Sequence, residues 1–309
     1  MNIIFLGSDS FAIPALIAIH EAGYDISCVV TQPDRKKGRG LSLAATPVKS
    51  AAAQLGLGAY QPGDINFPEA ALFLKGLKPD LSVVVAYGQI LSQDVLSIPA
   101  VLTINLHASL LPKYRGAAPI NWALINQEKT TGVTVIKVEK KMDAGAIITQ
   151  EEIPISKVDD VVTLEKKLSQ IGAKLLTATI KLIESNKYKL IAQDNAKVSL
   201  APKLKRQDGL ICWEKPAFTI DNLIKGTLGW PGAFTYYKGK MLKILKAEAS
   251  NIPGSYRPGE IVKLGAEGII VATGSGCLMI KELQFEAGKR LAVKEFISGH
   301  KISAGDILG

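Results

Sequence analysis

Val101-Leu102-Thr103-Ile104-Asn105-Leu106-His107-Ala108-Ser109-Leu110-Leu111-Pro112-Lys113-Tyr114-Arg115-Gly116-Ala117-Ala118-Pro119 is the stretch that decides how this chain reads. Its start is a short β-rich apolar run. Pro112, Gly116 and Pro119 then stop the strand and force a loop over its mouth. Asn105 and His107 stand two residues apart, so in extended backbone both side chains leave the same side, an amide donor beside an imidazole. That pair suits a carbonyl under attack. Reactive groups just past a strand end are what an open α/β sheet offers, because its ligands sit at the carboxyl ends of the strands.

Outward from this run the same pattern repeats. Strands are expected at Ile3 to Leu6, Ile26 to Thr31, Leu81 to Ala86, Val101 to Leu106, Val133 to Val138 and Ile147 to Ile155, with helices between them. Such alternation predicts a mostly parallel sheet with helices on both faces. The clearest helix runs from about Thr163 to Glu184, where Leu164, Leu168, Ile171, Leu175 and Leu182 recur at helical spacing, with Asp159 or Asp160 as its cap. After Asn186 the pattern dissolves into a polar stretch ending in Ala201-Pro202-Lys203-Leu204-Lys205-Arg206, which reads as a linker. Beyond it, Ala233 to Tyr237, Met241 to Ala249, Glu260 to Leu264, Gly268 to Ala272 and Cys277 to Phe285 are β-rich and separated by Gly and Pro turns. They predict a small antiparallel barrel or sandwich, with one helix near Thr219 to Leu228.

A length of 309 residues favours two domains, each able to bury its own core. The composition, 47% hydrophobic and 21% charged, is that of a soluble globular protein, and no run of apolar residues is long enough to cross a membrane. Met1 to Gly7 lacks the basic start of a signal peptide and meets Asp9 almost at once, so it reads as a first core strand. Cys28, Cys212 and Cys277 show no metal spacing and read as reduced, buried thiols. The net charge is +9. From Leu204 onward 15 Lys and Arg face 10 Asp and Glu, so the C-terminal third holds about half of the excess. There Trp230, Tyr236 and Tyr237 accompany Lys238, Lys240, Lys243 and Lys246, a mixture that fits a nucleic-acid face or an ordinary solvated hairpin.

Four strand ends carry candidate sites. Gly7-Ser8-Asp9-Ser10-Phe11 has too few glycines for a dinucleotide fingerprint, and its backbone N–H groups serve either a phosphate or a helix cap. Arg35-Lys36-Lys37-Gly38-Arg39 packs four cations into five residues on the ligand side of the sheet, which fits phosphate contact as well as a solvated loop. Val83 to Gly88 is most simply core followed by a turn. His107, one of three histidines, shares the sheet edge with Met142-Asp143-Ala144-Gly145, whereas His20 and His300 read as structural. Ser109 lacks a nucleophile elbow, and no His or Cys set is spaced for zinc.

Together these segments resemble the methionyl-tRNA formyltransferases over nearly the whole chain. Asn105 to Pro112, Tyr114-Arg115-Gly116 and Ala118-Pro119-Ile120 look like the signature of enzymes that use 10-formyltetrahydrofolate. Thr131-Gly132-Val133-Thr134 and Met142 to Gly145 look like its second half. The resemblance implies a fold and domain plan: an α/β chain with a Rossmann-like, mostly parallel sheet in a catalytic domain over residues 1–200. A linker would cover 201–207, and a small OB-like β-barrel that binds tRNA would cover 208–309. It places Asn105, His107 and Asp143 on the catalytic trio, and Ser109, Leu110, Leu111, Pro112, Tyr87 and Gly88 in the folate pocket. Arg35, Lys36, Lys37 and Arg39 fall in a loop that touches tRNA. Trp213 and Trp230-Pro231-Gly232-Ala233 fall near the start of the C-terminal domain.

The implied co-substrate is 10-formyltetrahydrofolate and the implied acceptor is initiator methionyl-tRNA, handled by a cytoplasmic monomer without metal or membrane. Asn105 and a protonated His107 would hold the tetrahedral oxyanion, a role worth about 3 to 4 kcal/mol per donor. Asp143 would orient His107 and help remove the amine proton. Two other readings compete. A formyltransferase acting on a small amine such as a nucleotide sugar has less use for the basic loop and barrel. A non-catalytic nucleic-acid-binding protein has no use for Asn105, His107 and Asp143.

Overall fold

The computed structural model describes residues 1–37, 42–250, 252 and 254–309. Its described strands and helices divide between two compact units. The first comprises Met1–Pro119, Thr130–Pro154 and Glu165–Ala201, and the second Ile120–Lys129, Ile155–Leu164 and Pro202–Gly309.

In the first unit the strands are β1 (Asn2–Gly7), β2 (Asp25–Val30), β3 (Arg35–Lys37), β4 (Ser42–Ala44), β5 (Ala59–Tyr60), β6 (Leu81–Val85), β7 (Leu102–His107), β8 (Arg115–Gly116), β9 (Thr130–Lys137), β10 (Ile147–Pro154) and β11 (Leu200–Ala201). Seven of them form one sheet in the order β10-β9-β7-β6-β1-β2-β5, all parallel except around β9. The parallel strands read as continuous apolar runs because both faces are covered: Ile3, Phe5, Val29, Val83 and Ile104 are fully buried. The chain starts at the central β1, moves outward to β2, then crosses back to β6 and β7. Right-handed crossovers that leave the centre in opposite directions place helices on opposite faces, and ligands of open α/β sheets bind where the strand order reverses, here between β1 and β6.

The helices are α1 (Ile13–Glu21), α2 (Pro47–Gln54), α3 (Pro68–Gly76), α4 (Gln93–Leu96), α5 (Pro119–Ile125) and α6 (Val161–Glu184). Proline at the first turn and Thr46 accepting from Lys49 N–H start α2. Asp160 caps α6 through Thr163 N–H at 2.8 Å, whereas Asp159 turns back to Ser156 N–H. The polar stretch after Asn186 does more than link. Leu200 and Ala201 pair in parallel with Arg115 and Gly116, and Ser199 Oγ accepts from Tyr114 N–H.

The second unit holds α7 (Ala217–Thr227), β12 (Ala233–Tyr237), β13 (Lys240–Ser250), β14 (Ile261–Gly265), β15 (Gly268–Ala272), β16 (Cys277–Phe285), β17 (Leu291–Ala292) and α8 (Val293–Gly299). The strands form the expected antiparallel sheet, ordered β12-β13-β16-β15-β14 with β17 on β16. Its core gathers Trp213, Ile220, Ile224, Leu242, Val271, Leu278 and Phe296, and the Trp213 indole N–H donates to Thr235 Oγ1 at 3.0 Å. Within this unit α5 lies against α7, because Gly226 carries no Cβ to meet Ile125, and Asn121 Nδ2 donates to Gly226 O at 2.8 Å.

Two expectations change here. Cys212 is exposed rather than buried, while Cys28 and Cys277 are buried, and burial pushes the Cys28 thiol up to about 11. Tyr237 is core rather than surface, its hydroxyl donating to Asp306 Oδ2 at 2.7 Å. His300 stacks on Phe296, as befits a structural histidine.

Candidate active site

β7 ends at His107, whose register partner is Thr134 of β9. Alternation along the strand sends Asn105 and His107 to one face. His107 is buried and Asn105 half-buried, and the Asn105 amide makes no hydrogen bond within the described residues. The imidazole is held at one end: Nε2 lies 2.9 Å from the backbone oxygen of Tyr114. A carbonyl only accepts, so Nε2 carries the proton in the neutral ring and Nδ1 is the nitrogen left for chemistry. Tyr114 reaches this position from a left-handed backbone, φ 61°. Sequence reasoning had no signal for which nitrogen is used.

Nδ1 faces the Asp143 carboxylate, with Oδ2 at 3.7 Å. That is ion-pair range rather than a hydrogen bond, and the same oxygen accepts from Gly116 N–H at 2.9 Å. Asp143 itself is left-handed, φ 51°. The turn that carries it depends on Gly145, where a Cβ would overlap the Lys137 carbonyl oxygen, and on Lys137 N–H donating to Ala146 O at 2.9 Å. His107 and Asp143 are thus brought together at one strand mouth, with Asn105 two residues earlier on the same face of β7.

The loop after His107 is built on Thr134. Its buried hydroxyl donates to Ser109 O at 2.6 Å and accepts from Leu111 N–H at 3.2 Å and Gln150 Nε2 at 2.8 Å. Ser109 is fully buried and its hydroxyl donates to Lys113 O at 2.7 Å. Ser109 and Leu111 therefore shape the loop from inside, while Leu110 and Pro112 are half-buried. Thr134→Val leaves a buried N–H and carbonyl with poorer partners and is expected to cost about 2 kcal/mol. Denaturant titration should show a lower midpoint at unchanged slope.

Tyr87 and Gly88 follow β6, beside β7. The Tyr87 side chain packs in the core with Ile4, Leu6 and Val30, its hydroxyl is buried with no partner among the described residues, and burial raises its pKa. What this pair presents at the strand mouth is backbone: Tyr87 O accepts from Ser8 Oγ at 2.8 Å, and Gly88 is left-handed at φ 92°. Ser8 Oγ in turn accepts from Gln32 N–H at 3.0 Å, which joins the ends of β1, β2 and β6.

Beyond β2, Arg35 and Lys36 lie exposed on β3, and Arg35 Nη2 donates to Gln32 Oε1 at 3.0 Å. Lys37 closes β3, and Arg39 lies outside the described residues. Asp34 is held below the usual carboxylate range by Lys49, whose Nζ lies 2.7 Å away, and by Gln61. In the second unit Arg206, Tyr236 and Lys240 line a hollow of about 450 Å³ with Met241, Phe285 and Glu286. Trp230 and Tyr236 keep 60% and 41% of their surfaces exposed, as a base-stacking face requires.

Among the described residues no three His, Cys, Asp or Glu side chains gather as metal ligands, and no helix is long and apolar enough to cross a membrane.

The fold and the strand-mouth trio define a class that comparison with known proteins makes specific. Residues 1–180 match the model of the formyl transferase family and residues 203–301 that of the formyl transferase C-terminal domain, so the chain belongs to the formyl transferase family. It is 44% identical to proteins named methionyl-tRNA formyltransferase from Acetivibrio thermocellus, over 312 residues, and from Caldanaerobacter subterraneus subsp. tengcongensis, over 309 residues. Each match covers 100% of both chains. Among solved structures, an N-formyltransferase from Helicobacter canadensis in complex with folinic acid and dTDP-3-aminofucose shares the fold. The TM-score is 0.70 and the identity 19%, over 94% of this chain and 99% of that one.

Proposed function

We propose that this chain transfers the formyl group of 10-formyltetrahydrofolate to the α-amino group of initiator methionyl-tRNA. The reaction rests on one observation above the others: His107 Nδ1 faces Asp143 across 3.7 Å, while Tyr114 O fixes the opposite nitrogen. The acceptor is supported by relatives of that name at 44% identity over both full lengths.

The amine lone pair attacks the formyl carbon, a C–N bond forms, and the carbonyl oxygen becomes an oxyanion. Asn105 Nδ2 and the Nδ1–H of protonated His107 donate to it. Asp143 takes the amine proton, directly or through water, and returns it to N10 of the folate as the bond from N10 to the formyl carbon breaks. Leu110, Pro112 and the backbone at Tyr87 and Gly88 hold the folate. The chemistry needs no metal, because nucleophile and leaving group come from the two substrates. The enzyme works in the cytoplasm as a monomer.

Arg35, Lys36, Lys37 and Arg39 contact the tRNA backbone. Lys36→Ala with Arg39→Ala is expected to weaken methionyl-tRNA binding and to lower the salt slope by about 1 to 2, with folate affinity unchanged. An unchanged slope returns the loop to solvent. The acceptor is tested by offering labelled 10-formyltetrahydrofolate with methionyl-tRNA and a dTDP-amino sugar together. Label is expected on the tRNA; label on the sugar alone overturns the reading.

A further inference from the structure

Gln193 lies in the polar stretch between the long helix and β11, far in sequence from any reacting group. Its side chain nevertheless joins two parts of the site. Nε2 donates to the backbone oxygens of Asp143 and Gly145, each at 2.8 Å, and Oε1 accepts from Arg115 Nε at 3.0 Å and Nη2 at 2.7 Å. Arg115 is 5% exposed and its nitrogens only donate. The amide can therefore sit only one way round, oxygen toward the guanidinium and NH₂ toward the two carbonyls. One of those carbonyls belongs to the left-handed residue that carries the carboxylate, and the other to the glycine two residues on.

We propose that Gln193, oriented by Arg115, is a positioning residue that clamps the Asp143 turn and so aims Oδ2 at both His107 Nδ1 and Gly116 N–H. The proposal rests on Asp143 acting in the formyl transfer described above, and its geometry can be read without that reaction. The same pair ties two remote segments together: Arg115 belongs to the loop over His107 and Asp143 to the turn after β9. A clamp between them sets the distance from carboxylate to imidazole. Misplacing a reacting group by about 1 Å costs on the order of 10²-fold in rate.

Gln193→Glu separates clamp from packing. It keeps the length and gains charge attraction to Arg115, yet puts an oxygen against two carbonyl oxygens. The expected result is a kcat lower by about 10²-fold with KM for folate within about twofold. In an Asp143→Asn background the same change should cost little more, because the two residues act as a unit. Amide exchange of Gly116 in the substrate-free protein should rise about tenfold or more while β7 and β9 stay protected. Gln193→Met, equally long and uncharged, gives the same reading should the glutamate variant not fold.

Unchanged Gly116 exchange in the folded variant overturns the proposal. So does increased exchange with wild-type kcat, or losses that simply add in the double variant. If the wild-type chain transfers no formyl to methionyl-tRNA, the functional reading fails and the exchange measurement alone decides the clamp.

Discussion

His107→Ala is expected to lower kcat for formyl transfer by about 10²- to 10³-fold, the loss of one oxyanion donor, with folate affinity nearly unchanged. The asymmetry follows from where the ring sits. His107 is buried, one nitrogen committed to Tyr114 O and the other turned to Asp143, so in the proposed reaction its contribution appears only when charge develops on the formyl oxygen. Asp143→Ala removes the ring's partner and, in the proposed reaction, the proton acceptor, and a loss of about 10²- to 10⁴-fold is expected. Combining the two should cost much less than the product of the single effects, because they act through one another. Steady-state kinetics with separate folate titrations distinguishes these outcomes. A raised KM at constant kcat would place both residues in binding instead.

Gly145→Ala carries the largest structural effect. A methyl group there overlaps the Lys137 carbonyl oxygen, which is backbone and cannot swing away as a side chain would. To admit it, the hydrogen bond from Lys137 N–H to Ala146 O must open and the turn bearing Asp143 must move. The expected cost is about 3 kcal/mol, the upper end for forcing extra volume into a packed site. Because Asp143 is two residues away, kcat should fall as well, beyond what lost stability explains at a temperature where the variant remains folded. Denaturant midpoints and kcat measured on the same preparation test this, and a variant with the wild-type midpoint would show that the turn is looser than its packing implies.

Much of this site is legible in the sequence because its chemistry is unevenly distributed. One histidine of three stands at a strand mouth, an amide lies on its side two residues earlier, and an acid follows a later strand. The apolar runs that became β1, β2, β6 and β7 are continuous because a parallel sheet is buried on both faces. What could not be read depends on contacts between residues remote in sequence. Gln193 sits in a segment whose polarity says only that it is not a core helix, and its contacts with Arg115, Asp143 and Gly145 join residues remote in sequence. Thr134 looks like any strand threonine until its hydroxyl meets three partners, two in the loop after β7 and one on β10. Tyr237 follows an exposed Tyr236 in one strand, and alternation sends the second ring inward, so half of that aromatic pair belongs to the core. Cys212 has apolar neighbours in sequence and still lies on the surface.

The most direct test is single-turnover transfer with saturating labelled 10-formyltetrahydrofolate and methionyl-tRNA, following formyl-methionyl product by rapid quench. Wild-type protein should convert its bound folate at least as fast as kcat, and the His107→Ala, Asp143→Ala double variant should bind the folate yet form product slower by at least about 10²-fold. Product formed by the double variant at the wild-type single-turnover rate would contradict the account.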